Sequence, residues 1–81
     1  MTFRATIHVM LKPDVADVQG MAIQQALANH NYAVSGVKAG KFFELEVRAE
    51  SESEARAMLD ELANGTFSNP TIESYRVELA R

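Results

Sequence analysis

The sequence has 81 residues, a formal net charge of −3 at pH 7, no cysteine and two histidines. These values exclude a disulfide scaffold, a thiolate metal site, a cysteine nucleophile and a multi-histidine metal cage. A chain of this length forms one domain, 1–81. Its hydrophobic core alone gives only marginal stability, and oligomerisation is the remaining way to stabilise the fold. The mild acidity argues against a nucleic-acid partner. Neither a targeting leader nor an apolar run of ~20 residues is present, which predicts a cytoplasmic protein without a membrane partner.

The first part of the chain predicts a strand followed by a helix. Strict alternation over 3–11 indicates a strand with one face in a core, and Pro13 ends it because proline cannot donate to a ladder. Asp14 or Asp17 can cap the helix, which runs to about His30. The apolar stripe of this helix, expected to face a core, consists of Ala22, Ile23, Ala26 and Leu27.

Two further strands follow the first helix. Asn31 suits a left-handed helix C-cap, and the segment 34–39 predicts a short second strand. Gly40-Lys41 predicts a two-residue hairpin loop with glycine first. The alternation over 42–49 is the clearest strand pattern in the chain, so we expect the second and third strands to pair as a hairpin.

The last part of the chain predicts a helix and a final strand. Ser51 and Glu54 form a capping box, which begins an amphipathic helix that ends before Gly65. The segment 71–79 alternates as the last strand. The resulting order β-α-β-β-α-β is that of a ferredoxin-like α+β fold. Right-handed crossovers then place both helices on one face of an antiparallel sheet, as a two-layer sandwich.

The second face of this sheet is left open and carries mainly polar residues. Met10 and Phe42 are apolar on that face, and Ile72 is out of phase with the core positions of its strand. Large exposed apolar side chains often mark interfaces, and methionine is common on adaptable contact surfaces. Met10, Phe42 and Ile72 are therefore candidates for self-association as a homodimer or tetramer. Scattered surface side chains, or a register error of one residue, are the alternative interpretation.

The residue patterns predict no catalytic, cofactor-binding or metal site. His8 has no nearby nucleophile in the sequence, and Ser51 is explained as a helix cap. The glycines do not form a phosphate-binding loop before a helix. An RNA-recognition domain shares the element order, but Glu44 and Glu46 would repel phosphate from the face that binds RNA in that class.

The chain resembles the PurS family from about residue 3 to residue 79. The resemblance depends on an ordered series of short matches, each of them weak by itself. Asn31 departs from it, because the family has glycine there, and His30 stands where an apolar residue is commoner. The matching residues are Leu11-Lys12-Pro13, Asp17, Gln19-Gly20, Ala26-Leu27, Tyr32, Gly40-Lys41, Glu44-Leu45, Ser53-Glu54-Ala55, Asn69-Pro70, Ile72-Glu73 and Tyr75.

This resemblance implies a non-catalytic small subunit of phosphoribosylformylglycinamidine synthase, an ATP- and glutamine-dependent ligase complex of purine biosynthesis. It implies two partners, a glutaminase subunit and a large synthetase subunit, which the small subunit bridges while it assists ammonia transfer. ATP and Mg would be bound by the large subunit, with no cofactor on this chain. The densest matches lie in loops and at the start of the first helix, and we expect these segments to contact the partners. They contain Lys12, Pro13, Asp17, Gln19, Gly20, Gly40 and Lys41.

Two other functions fit the same predicted fold. An ACT-like regulatory domain would bind an amino acid at a dimer interface, and amino-acid-dependent thermal stabilisation would indicate it. A small enzyme of the dimeric ferredoxin-like type would use His8 in a cleft, and turnover by the isolated chain would indicate that function.

Overall fold

The computed structural model describes residues 1–80, which form a three-stranded antiparallel sheet and two α-helices. The elements are β1 (Thr2–Leu11), α1 (Val18–Asn29), β2 (Gly40–Arg48), α2 (Glu52–Leu62) and β3 (Glu73–Ala80). β1 is the central strand and pairs antiparallel with both β2 and β3. A π-helical turn over Ala63–Phe67 continues α2. None of these helices is long and apolar enough to cross a bilayer.

The core lies between one face of the sheet and α2. The alternation predicted for the first strand is confirmed, and Phe3, Ile7 and Leu59 have no accessible surface. Burying a large apolar side chain of this kind contributes about 1.5–3 kcal/mol. Ser51 caps α2 as predicted, because its Oγ accepts a hydrogen bond from the Glu54 amide at 3.2 Å. The buried apolar residues are Phe3, Ala5, Ile7, Val9, Val47, Ala49, Ala55, Leu59 and Ala63.

The strand predicted over 34–39 does not form in the described chain. Gly36 has a φ of 68°, which interrupts an extended run. The amides of Val37 and Ala39 donate hydrogen bonds to the side chains of Gln24 in α1 and of its N-cap Asp17, instead of pairing with another strand. The predicted hairpin loop at Gly40-Lys41 is also wrong, because both residues already belong to β2. The observed order is therefore β-α-β-α-β, while the predicted α+β class is confirmed.

α1 adds no side chain to the core. Gly20 is its buried residue, whereas Ile23, in the stripe expected to face a core, is 42% exposed. Within one chain, therefore, α2 alone covers the sheet. The Cα radius of gyration is 16.1 Å, against about 12 Å for a compact domain of this length. The helix end agrees with the prediction, since Asn31 has a φ of 66°. Periodicity shows that α1 has an apolar stripe but cannot show which surface covers it.

Candidate functional site

A cleft of about 270 Å³ lies where β1 ends and where α1, β2 and β3 begin. It brings together four of the seven residues predicted to contact partners, which are Asp17, Gln19, Gly40 and Lys41. Four segments that are distant in the sequence meet here. The remaining walls are formed by Val9, Leu11, Ala16, Val18, Ala39 and Glu73.

Asp17 fixes the start of α1 to the residues that lead into β2. Its Oδ1 accepts a hydrogen bond from the Gly20 amide, and its Oδ2 accepts one from the Ala39 amide, both at 2.8 Å. These two amides, Gly20 first, hold the pKa of the Asp17 carboxyl below its usual value, and the charge of Lys38 acts in the same direction. Both carboxylate oxygens are therefore engaged in a structural role.

The two glycines among the predicted contact residues are explained by close packing. A Cβ at Gly20 would lie 2.7 Å from the carbonyl oxygen of Val37, and a Cβ at Gly40 would lie 2.7 Å from that of Val9. Both are backbone carbonyls, which cannot move aside as the end of a flexible side chain can. Gly20 is also buried, so any effect of this residue on a partner is indirect.

Lys41 and Glu73 form an ion pair across the mouth of the cleft. The Lys41 Nζ lies 3.5 Å from a Glu73 oxygen, and the lysine side chain is 59% exposed while the glutamate side chain is 11% exposed. Glu73 Oε1 also accepts a hydrogen bond from the Asn69 amide at 2.7 Å. That amide is the main cause of the lowered pKa of Glu73, with the charge of Lys41 adding to it. Lys41 is thus the accessible cation of the pair.

Lys12 and Pro13 lie beside the cleft without lining it. The Lys12 amide donates to the carbonyl oxygen of Ile72, and the Lys12 carbonyl accepts from the Val15 amide, both at 2.9 Å. Pro13 is exposed. These contacts make a tight turn next to the start of β3.

The open face of the sheet has an apolar end and a charged end. Met10, Phe42 and Ile72, the predicted self-association residues, are 38%, 52% and 38% exposed, and we call them the open-face patch. His8 lies next to the patch, with its ring centroid 4.6 Å from that of Phe42. Its Nδ1 lies 3.3 Å from Nη2 of Arg76.

The charged end of this face forms a wider cavity of about 660 Å³. Pairing across the sheet places Arg4 opposite Glu46 and places Thr6 between Glu44 and Glu78. The buried Oγ1 of Thr6 has no hydrogen-bond partner. Among the described residues no three acidic or histidine side chains converge as metal ligands.

Comparison with known proteins identifies the family of this chain. Residues 4–81 match PurS, described as phosphoribosylformylglycinamidine (FGAM) synthase. The chain belongs to the PurS family. The resemblance inferred from the short sequence matches is thereby confirmed, and PurS proteins are subunits of FGAM synthase in purine biosynthesis.

PurS subunits from other organisms are similar along almost the whole chain. The FGAM synthase subunit PurS of Synechocystis is 35% identical over 96% of this chain and 79% of its own length. The structure of Bacillus subtilis PurS has 32% identity and a TM-score of 0.86, and covers 98% of this chain and 99% of that one. A chain in the structure of PurLQS from Thermotoga maritima has 27% identity and a TM-score of 0.89, with 99% of both chains covered.

Among the six cleft residues that were not predicted as contacts, Glu73 is the one with a charged side chain. Glu73 was not among the expected contacts, although it stood in the series of PurS-like matches as the neighbour of Ile72. Its pairing with Lys41 depends on the sheet register, which brings the starts of β2 and β3 to the same end of β1. The contact role of the predicted residues themselves stays a prediction.

Proposed function

We propose that this chain is the non-catalytic small subunit of FGAM synthase and that it bridges the glutaminase subunit and the large ATP-dependent synthetase subunit. The observation that carries this proposal is the match to a chain of PurLQS from Thermotoga maritima over 99% of both chains. A chain that superimposes along its full length on a member of such an assembly has the shape required to occupy the same position.

The chemistry of the cleft supports a role in assembly. Both oxygens of Asp17 accept backbone hydrogen bonds, and Glu73 bonds to the Asn69 amide and pairs with Lys41. Carboxylates held in this way position the backbone and are not free to act as a general base. As the family resemblance implies, we propose that ATP and Mg are bound by the large subunit, with no cofactor on this chain.

Transfer of ammonia gives the bridging role a physical purpose. Ammonia is small and would diffuse out of a complex in which the two active sites were not aligned. In water at neutral pH it is largely protonated, and ammonium is not a nucleophile. A subunit that aligns them and excludes water supports the reaction without supplying a reactive group. We propose that this chain contributes in this way, in the cytoplasm.

The rim of the cleft is the proposed contact surface for the larger subunits. Lys41 is 59% exposed, and Gln19 and Pro13 are exposed beside it. Lys12, half-buried in its turn, lies next to them. Charged groups at an interface rim guide association and fix orientation, so reversing the charge of a lysine here should weaken assembly.

Omission of the chain from a reconstituted complex tests the proposal. The glutaminase and the large synthetase are assayed with glutamine as the nitrogen source, with and without this chain, and copurification of all three is measured in parallel. We expect the chain to be inactive alone and glutamine-dependent turnover to require it. Full turnover without the chain, or its failure to copurify with either subunit, would contradict the proposal.

A further inference from the structure

The end of α2 carries an asparagine–glycine pair at an irregular point of the backbone. Asn64 has a φ of −85° and a ψ of 26°, which are non-helical values inside the π-helical turn that continues α2. These values lie close to the sparsely populated bridge region between helical and extended backbone. Asn64 and Gly65 are both exposed, although the neighbouring Ala63 is fully buried. The pair is therefore open to solvent beside a residue of the core.

This pair contains the groups that an intramolecular cyclisation requires. The Asn64 side chain presents an amide carbon, Cγ, and the next backbone nitrogen belongs to glycine, which has no side chain to obstruct its approach. A Cβ at Gly65 would meet no atom within 4 Å, so the surroundings leave room for the movement. Glycine also has the widest backbone freedom, which lets the nitrogen turn toward the side chain. In the described part of the chain, no hydrogen bond or ion pair holds the Asn64 side chain away from it.

We propose that Asn64 is a site of spontaneous deamidation. The Gly65 nitrogen attacks Cγ of Asn64, and the new C–N bond closes a five-membered succinimide ring. The bond from Cγ to Nδ2 breaks, and Nδ2 leaves as ammonia with the proton of the attacking amide. Water then adds to one of the two ring carbonyls and opens the ring, which leaves aspartate or isoaspartate at this position. The net reaction consumes one water molecule and releases one ammonia, with no change of oxidation state.

The three other asparagines of the chain lack this combination. Asn69 precedes Pro70, which has no N–H proton to lose. Its Oδ1 also accepts a hydrogen bond from the Thr71 amide at 3.1 Å. Asn29 and Asn31 each precede a residue with a large side chain, which crowds the attacking nitrogen. The reaction is therefore selective for one position, and the other three serve as internal controls.

The new carboxylate forms at an unfavourable place. It lies at the C-terminal end of α2, where the helix dipole is negative and the last turn has no basic residue to offset it. Asp60 and Glu61 lie within one turn of it and repel it. Isoaspartate also adds a methylene group to the backbone between the buried Ala63 and Phe67, whose ring packs 4.7 Å from that of Phe43. Deamidation therefore weakens the packing of the end of α2 against the sheet.

Mass spectrometry of aged protein tests the proposal. The natural chain and Gly65→Ala are incubated side by side at mildly alkaline pH, which promotes attack by the amide nitrogen. We expect the natural chain to gain the mass that replacement of NH by O produces, located at position 64 by fragmentation. Gly65→Ala should gain it several-fold more slowly. This variant is a matched control, because the added methyl group meets nothing within 4 Å and the fold is kept.

Melting temperatures measure the consequence separately. Asn64→Asp should melt a few degrees below the natural chain, because it carries the charge of the product. Asn64→Gln stays neutral and should keep the natural melting temperature. An unchanged melting temperature of Asn64→Asp would overturn the destabilising effect.

Three results of the incubation would overturn the deamidation site itself. These are no mass gain at position 64, an equal gain at all four asparagines, and an equal rate in Gly65→Ala. The inference is independent of the bridging role, which is measured with freshly prepared protein, so each can fail without the other.

Discussion

Asp17 accepts a hydrogen bond from the amide of Ala39, 22 residues further along the chain, at 2.8 Å. The same carboxylate caps α1 through the Gly20 amide. One side chain therefore fixes the start of α1 to the residue that precedes β2. Its position at the cleft wall explains why this aspartate belongs to the PurS-like series without any need for it to touch a partner.

Asp17→Asn should remove part of the acid dependence of stability. The pKa of Asp17 is lowered in the folded chain, so its contribution is fully present above the unfolded value of about 4 and is lost as pH falls through the folded pKa. Melting temperatures measured from about pH 6 down to about pH 3 should therefore fall more steeply for the natural chain. Asp14→Asn is the control, since Asp14 is exposed and does not cap α1. Equal pH profiles for the natural chain and Asp17→Asn would contradict the assigned role.

Gly20→Ala should destabilise the chain by about 1–3 kcal/mol, because the added methyl group meets the carbonyl of Val37. Gly65→Ala is the matched control, since a Cβ there meets nothing within 4 Å. Denaturant unfolding of both variants measures the difference. A neutral Gly20→Ala would show that the segment before β2 moves away easily, contrary to the close packing described.

Ser51→Ala should cost about 1 kcal/mol of stability through loss of the α2 cap, with assembly of the complex retained at low temperature. Ser53→Ala is the control, because the Ser53 hydroxyl contacts only that of Ser51 in the described chain. Loss of assembly without a change in melting temperature would mean that Ser51 contacts a partner.

The elements with strong internal patterns could be predicted from sequence. The alternation of β1 and the helix cap at Ser51 each depend on residues close together in the chain, and both predictions are confirmed. The strand expected over 34–39 does not form, and the amides of Val37 and Ala39 instead donate hydrogen bonds to the side chains of Gln24 and Asp17. Those partners are more than ten residues away, where local patterns carry no information.

The sequence predicted four of the residues that line the cleft, but not the structural roles that they have there. Asp17, Gly20 and Gly40 were expected to touch partners, which stays a prediction, and the structure adds a packing or capping role for each of them. The ion pair of Lys41 with Glu73 requires the register of three strands, which no single segment encodes. The packing and pairing roles of these residues therefore needed the coordinates.

Polar substitution of the open-face patch should weaken self-association. Phe42 is 52% exposed and Met10 is 38% exposed, so Phe42→Ser and Met10→Ser remove apolar contact area while leaving the core unchanged. Sedimentation at micromolar concentration should show smaller assemblies for these variants. The natural chain should show no stable monomer under the same conditions, and a clean 8.9 kDa species would contradict the proposed oligomer.

Turnover of the reconstituted complex with two nitrogen sources tests the proposal that this chain joins the glutaminase to the synthetase for ammonia transfer. Lys41→Glu places a like charge beside Glu73 at the cleft rim, and Lys12→Glu reverses the neighbouring lysine. Arg56→Glu, at an exposed side chain of α2, is the control. We expect both lysine variants to lose glutamine-dependent turnover while turnover with high added ammonia is largely retained, because the large subunit then takes ammonia from solution. Equal loss with glutamine and with ammonia would contradict ammonia transfer through this interface.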